Sequence, residues 1–302
     1  MPYRDAPFCD FLDYLSFNRR YSAKTVQAYG SDLEQFTGFL RKLYGPDTLL
    51  EAVTGSMVRS WLADLKDKNQ SSRSINRKIS ALKSYYKYLM REQRIDASPM
   101  RKVIAPKQGK RLPAYVEEPA MVQLLDPARF SEDWKGRTER LVLELLYQTG
   151  IRLSELLQLK NSQVDYSLKS LRVLGKGSKE RILPLSDPLL ALLRDYQQAK
   201  PRMLEHFDSE RLLVLSNGKP LYASFVYRLV RAQLGTVTTQ SKRSPHVLRH
   251  TFATHLSNHG AELHAVKELL GHASLAATQV YTHNTVEQLK RIYQQAHPKS
   301  GS

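Results

Sequence analysis

SRSINRKISALKSYYKYLM, residues 72–90, carries two periodicities at once. Ile75, Ile79, Leu82, Tyr86 and Leu89 recur at alternating spacings of four and three, which draws one apolar stripe along a helix. Arg73, Arg77, Ser80, Ser84 and Lys87 keep the same spacing two residues out of step, so they fall on roughly the opposite side. One face is a core face and the other is basic and hydroxylated. No acidic residue stands four positions from any member of the basic stripe. That pattern predicts contact with phosphate groups through Arg73, Arg77 and Lys87.

The reading extends in both directions. Upstream, Ser22 opens a segment in which Val26, Tyr29, Leu33, Phe36 and Leu40 repeat at helical spacing, so the first 94 residues are expected to be all-helical. Downstream the periodicity stops. Pro99, Pro106 and Pro113 punctuate a stretch that also holds Arg101, Lys102, Lys107, Lys110 and Arg111. It reads as a basic, extended linker, with Lys107 a further candidate for phosphate contact. Beyond it a second domain is expected, with a buried helix through Leu141–Leu146 ending at Gly150. Short strands are expected at Leu171–Leu174 and Ile182–Leu185 around a Gly175–Glu180 turn, and a third at Leu212–Leu215. The terminal residues from Pro298 are expected to be disordered.

Composition bounds the class of partner. Of 302 residues, 46 are Lys or Arg and 29 are Asp or Glu, a formal charge of +17 spread over the whole chain. A polyanion is the expected partner. A membrane surface would call for a concentrated basic amphipathic anchor, and the sequence holds none. No apolar run approaches the ~18 residues of a membrane span, and the N-terminus lacks a signal-peptide core. The single cysteine, Cys9, can form no intramolecular disulfide, and no cysteine metal site is possible. An intracellular, cytoplasmic location is expected, with no metal and no cofactor.

Helix punctuation is clearest in the last third. Ser244 and Pro245 make an N-cap and first-turn pair, which sets His246 and Arg249 on one face of the first two turns. The helix N-terminus adds partial positive charge beside them, a setting suited to a phosphate. Gly271 ends the next helix and leaves His272 just past its cap; Ser274 starts a short helix that carries Tyr281. Earlier, Arg152 follows a glycine turn, with Glu155 three residues on to hold its guanidinium. Lys176 sits on the Gly175–Gly177 turn. A P-loop is excluded there, since Ser170 occupies the place of that motif's first glycine.

In order and context these residues resemble a known family. TGIRLSEL at 149–156, LGKGSKER at 174–181, HVLRH at 246–250, LLGH at 269–272 and YTH at 281–283 are similar to the motifs of tyrosine recombinases. The longer runs GKGSKER, HVLRHTFATHL and ELLGHASLAATQVYTH are similar to the Xer subgroup, and the resemblance spans nearly the whole chain.

The resemblance implies a mainly α, two-domain C-shaped clamp. Residues 1–94 would form a SAM-like core-binding domain, 95–109 the linker, and 110–297 a mostly helical catalytic domain with a small antiparallel sheet. It implies an active site of Arg152, Lys176, His246, Arg249, His272 and Tyr281. Tyr281 would be the nucleophile that takes up the 3′-phosphate. Arg152 and Arg249 would clamp the phosphate, and Lys176 would protonate the leaving 5′ oxygen. His246 would accept the tyrosine proton and His272 donate a hydrogen bond to the phosphate. The implied partners are double-stranded DNA at an inverted-repeat site and further recombinase subunits, in a tetramer on two sites that can include a sister recombinase. The implied role is resolving chromosome dimers at cell division. An integrase of a phage, transposon or integron is the alternative with the same chemistry.

Overall fold

The computed structural model describes residues 3, 6–107, 114–175, 180–271 and 283–299. The chain divides into two units, Met1–Arg111 and Leu112–Ser302.

Among the described residues of the first unit every regular element is a helix. Helices α1 (Cys9–Asp13), α2 (Ala23–Tyr44), α3 (Gly55–Asp67) and α4 (Ser72–Arg91) follow in order, with one π-turn, Tyr14–Asn18, after α1. Ser22, Thr54 and Ser71 cap α2, α3 and α4, each hydroxyl accepting from the backbone N–H three residues on. Such a cap is worth about 1 kcal/mol. All five residues of the α4 apolar stripe are buried, beside Phe36 and Leu40 of α2 and Trp61 of α3. Arg73, Arg77, Ser80 and Lys87 lie outside that core. The expected linker is partly folded onto this unit. Met100 and Val103 join its core, and Asn76 donates to the Pro106 carbonyl at 3.0 Å.

The second unit is mostly helical and carries a small sheet. After α5 (Glu118–Leu124) comes α6 (Trp134–Thr149), whose residues 141–149 are all buried. That run leaves no polar face, which marks α6 as the central helix of the core. The short α7 (Leu153–Leu156) leads to β1 (Val164–Asp165), β2 (Ser170–Leu174) and β3 (Glu180–Pro184), an antiparallel sheet in sequence order with Leu171 opposite Leu183. Then follow α8 (Asp187–Met203), α9 (Ala223–Val237), α10 (Pro245–Asn258), α11 (Leu263–Leu270) and α12 (His283–Ala296).

Two expectations are corrected. Leu212–Leu215 is not a strand, and the sheet's third member is Val164–Asp165. The segment is apolar and largely buried, but its backbone pairs only in isolated bonds, Leu212 N–H with the Leu159 carbonyl and Val214 in one bridge with Pro220, and side chains take other groups. Lys200 donates to the carbonyls of Arg211 and Leu212, Trp134 donates to that of Val214, and the Val214 N–H donates to the Tyr196 hydroxyl. A ladder partner would find few groups left to pair. The chain end is also ordered further than expected: Lys299 bonds the carboxylate of Glu144 at 3.0 Å. Just before it, His297 is buried in a cage of Tyr147, Phe252 and Tyr293 rings.

Candidate active site

The site is assembled where α6 ends. Gly150 takes the left-handed conformation (φ 57°) that a helix exit calls for, and a Cβ there would collide with the Phe252 ring. Two residues on, Arg152 is the N-cap of α7. Its own N–H donates to Glu155 Oε2 at 2.8 Å, and its guanidinium donates to Glu155 Oε1 at 2.9 Å. The expected hold of Glu155 on Arg152 is therefore present, doubled by the backbone.

Glu155 has a second and tighter partner. Arg181, on the inward side of β3, grips both carboxylate oxygens at 2.7 Å each. Burial alone would push the Glu155 carboxyl up. The hydrogen bonds and charges of Arg181 and Arg152 outweigh it and hold the group below the ordinary glutamate range. It is an anion wherever the protein is folded at neutral pH.

The last carbonyls of α11 complete the arrangement. Leu269 O accepts from Arg181 at 3.0 Å, Leu270 O from Arg249, and Gly271 O from Arg152 at 2.8 Å. Arg249, from the second turn of α10, also donates to Gly150 O. Three guanidiniums from three elements thus occupy the negative end of one helix, where unpaired carbonyls favour cations. Against the one carboxylate that the described residues place in the cluster, they leave two positive charges in surplus. Burial, and the charges of Arg152 and Arg181, lower the Arg249 pKa to about 9, which still leaves it charged at neutral pH.

Exposure separates the roles open to them. The Arg152 side chain is 32% exposed and that of Arg181 only 4%. Arg152 can reach a ligand; Arg181 cannot without unfolding the cluster. His246 is exposed in the first turn of α10, as its spacing from the buried Arg249 allows. Ser244 precedes that helix as expected, although its side chain makes no capping bond. Lys176, His272 and Tyr281, and the short helix expected from Ser274, lie outside the described residues. The structure therefore brings together Arg152 and Arg249 of the expected set, with His246 on the same helix as Arg249.

The basic stripe of α4 is modified by a partner that its own spacing cannot reveal. Arg77 pairs with Asp32 of α2 and donates to the Ala28 carbonyl, while its side chain stays 45% exposed. Asp32 is fully buried and also takes Lys78 at 3.0 Å. Arg77 faces away from the apolar stripe yet is tied into the fold. Lys87 and Lys107 are exposed, and Arg73 stands at the surface of the first turn of α4.

Sequence reasoning missed Arg181 and Asp32, and a signal existed for each. Arg181 and Leu183 are two apart in a strand and share its buried face. Asp32 precedes Phe36 by one helical turn, at the edge of the α2 stripe.

Residues 8–93 match the N-terminal SAM-like domain of phage integrases, and residues 115–288 match the Phage integrase family itself. The chain is a tyrosine recombinase of the phage integrase family. It is 40% identical to the tyrosine recombinase XerC of Chlorobaculum parvum, over 95% of this chain and 93% of that one. It is 32% identical to XerD of Staphylococcus aureus, over 96% and 98%. Among solved structures, the XerH site-specific recombinase, in a post-cleavage complex with its palindromic difH substrate, shares the fold. The TM-score is 0.70 at 21% identity, covering 91% of this chain and 77% of that one. No helix of the described residues is long and apolar enough to cross a membrane.

Proposed function

We propose that this recombinase cuts and rejoins duplex DNA at an inverted-repeat site, in the manner of the Xer relatives, with Arg152 and Arg249 clamping the scissile phosphate. The observation that carries the reading is the arginine cluster. Its two clamp guanidiniums are fixed by carbonyls, and of these two only Arg152 is bonded to an acid among the described residues. Such a pair is built to receive an anion whose charge grows in the transition state, at no cost of reorganisation.

On this reading the Tyr281 oxygen attacks phosphorus, the bond to the 5′ oxygen breaks, and a 3′-phosphotyrosine holds the strand until a 5′ hydroxyl reverses the step. Lys176 delivers the proton to the departing oxygen and His246 takes the one from Tyr281, while His272 hydrogen-bonds the phosphate. Residues 1–94 bind the site core and 110–297 carry the chemistry, joined by 95–109. Full-length similarity to XerC and XerD supports a tetramer on two sites, a sister recombinase among its subunits, and the resolution of chromosome dimers in the cytoplasm before division.

The test is Tyr281→Phe on a nicked suicide substrate. The variant keeps its affinity for the site and forms no covalent adduct. A 3′-linked complex formed by that variant would remove Tyr281 from the reading.

A further inference from the structure

Arg181 lies outside the expected active-site set, and its environment gives it a definite task. It is a charged residue buried in a strand, and it spends that burial on two neighbours. Nη1 and Nη2 engage both oxygens of Glu155, and Nε engages the Leu269 carbonyl. Glu155 Oε1 is the same atom that holds Arg152, and Leu269 stands two residues before Gly271, whose carbonyl also holds Arg152. Arg181 therefore holds one anchor of the Arg152 guanidinium directly, Glu155, and packs against the backbone that carries the other, Gly271. The packing is close: a Cβ on Gly271 would lie 3.0 Å from Arg181 Cδ.

We infer that Arg181 is a positioning residue for strand cleavage, which aims Arg152 at the phosphate and keeps Glu155 from neutralising it. The inference rests on the proposed clamp role of Arg152. Two effects follow from the geometry. A bidentate fork fixes the carboxylate plane, so Oε1 faces Arg152 in one orientation only. It also shares the anion's charge. Without Arg181, Glu155 would be left with Arg152 as the cation bonded to it within the cluster, and would compete with the phosphate for it. Arg181 itself touches no DNA, because its side chain is shut in between β3, α7 and the end of α11.

The experiment measures site affinity and single-turnover cleavage for Arg181→Gln, Arg181→Lys and Arg152→Ala. Each is assayed on a normal phosphodiester and on a methylphosphonate, whose scissile phosphorus carries no net charge. Arg181→Gln is expected to bind the site within a few-fold of wild type, and to cleave the phosphodiester ~10–100-fold more slowly, a smaller deficit than removing a group that touches the phosphate. On the methylphosphonate its deficit shrinks in parallel with that of Arg152→Ala, since a clamp on charge matters less where charge is missing. Arg181→Lys keeps a cation beside Glu155 but has no fork, and shows the same substrate dependence. It carries the test if the glutamine variant does not fold. Equal deficits on both substrates would reduce Arg181 to a fold-stabilising residue and overturn the inference, as would wild-type cleavage by Arg181→Lys with Arg152→Ala impaired. Wild-type cleavage by Arg152→Ala would instead overturn the clamp reading beneath it.

Discussion

Each unit of the molecule buries one carboxylate between two cations. In the first, Asp32 holds buried Lys78 and half-exposed Arg77; in the second, Glu155 holds buried Arg181 and the more accessible Arg152. The inner cation locks the acid in place and the outer one reaches toward solvent. The two differ in what surrounds the outer guanidinium. Arg77 has a carboxylate and one carbonyl, and most of its charge is answered there. Arg152 has a carboxylate shared with Arg181, a carbonyl at a helix C-terminus, and as a neighbour Arg249, which the described residues give carbonyls and no carboxylate. The first arrangement ties a basic helix into its core. The second leaves two cations in surplus, which is the condition for gripping an anion.

The largest expected effects come from removing either acid. Asp32→Ala leaves Lys78 buried with Gln35 as its side-chain acceptor, and Glu155→Ala leaves Arg181 with the Leu269 carbonyl. Breaking a buried pair from one side costs ~3–5 kcal/mol. Amide hydrogen exchange should show the loss in α2–α4 for Asp32→Ala and in α6–α11 for Glu155→Ala. Loss of protection in both units for either variant would erase the distinction drawn between them. The outer cations sharpen it further. Arg152→Ala should slow cleavage by ~10²–10³ at saturating DNA with the fold kept. Arg77→Ala should leave cleavage at saturation unchanged and weaken binding alone. Its partly exposed pair is worth at most ~1 kcal/mol to stability.

The two clusters also show what the sequence makes legible. Arg152 and Glu155 are three residues apart across a helix start, so their pairing follows from spacing. Asp32 and Arg77 are 45 residues apart, and Glu155 and Arg181 are 26 apart. No periodicity within one element points across such a gap. The helical first unit, the central buried helix and the β2–β3 hairpin are all readable from stripes, turns and alternation. Leu212–Leu215 misleads because an apolar run reports burial, and burial here comes with backbone groups satisfied by Lys200, Trp134 and Tyr196. The ring cage around His297 joins α6, α10 and α12, so no local pattern marks it.

A second contrast concerns acid. All nine histidines fall in the second unit, at or beyond residue 206. Burial pushes His297 down to about 3, opposed by a backbone hydrogen bond and reinforced by the charges of His255 and Lys299. Burial lowers His255 and His250 as well. A histidine with a depressed folded pKa contributes stability that is complete above its unfolded value near 6.5 and falls away as pH drops from there toward the folded value. The second unit should therefore weaken from pH 6.5 downward, by about 1.4 kcal/mol per pH unit for each such proton. The first unit, free of histidine, should hold until its carboxylates titrate. His297→Phe, which keeps a ring in the cage, should flatten the slope of the second unit by one proton. Urea unfolding followed by hydrogen exchange at pH 7, 6 and 5 measures it. A first unit that loosens before the second would contradict the assignment.

The smallest expected effect tests whether Asp32 tempers the basic face. Each cation withdrawn from a phosphate of duplex DNA lowers the slope of log affinity against log salt by ~0.9. Neither Arg73 nor Lys87 is ion-paired to an acid among the described residues, so Arg73→Ala and Lys87→Ala should each take nearly the whole unit and leave stability unchanged. Arg77 is different. Its guanidinium already faces a carboxylate, so fewer counterions are released when it meets a phosphate, and Arg77→Ala should lower the slope by clearly less. Asp32→Asn offers the converse arm. The amide keeps one acceptor oxygen for the two cations, so stability is measured alongside; with the charge removed and the variant folded, the slope should steepen toward that of an unpaired arginine. A drop of one full unit in Arg77→Ala, with no steepening in Asp32→Asn, would mean that Arg77 leaves Asp32 when DNA binds. The pair would then be a feature of the free protein, and the likeness between the two buried carboxylates would end at the DNA surface.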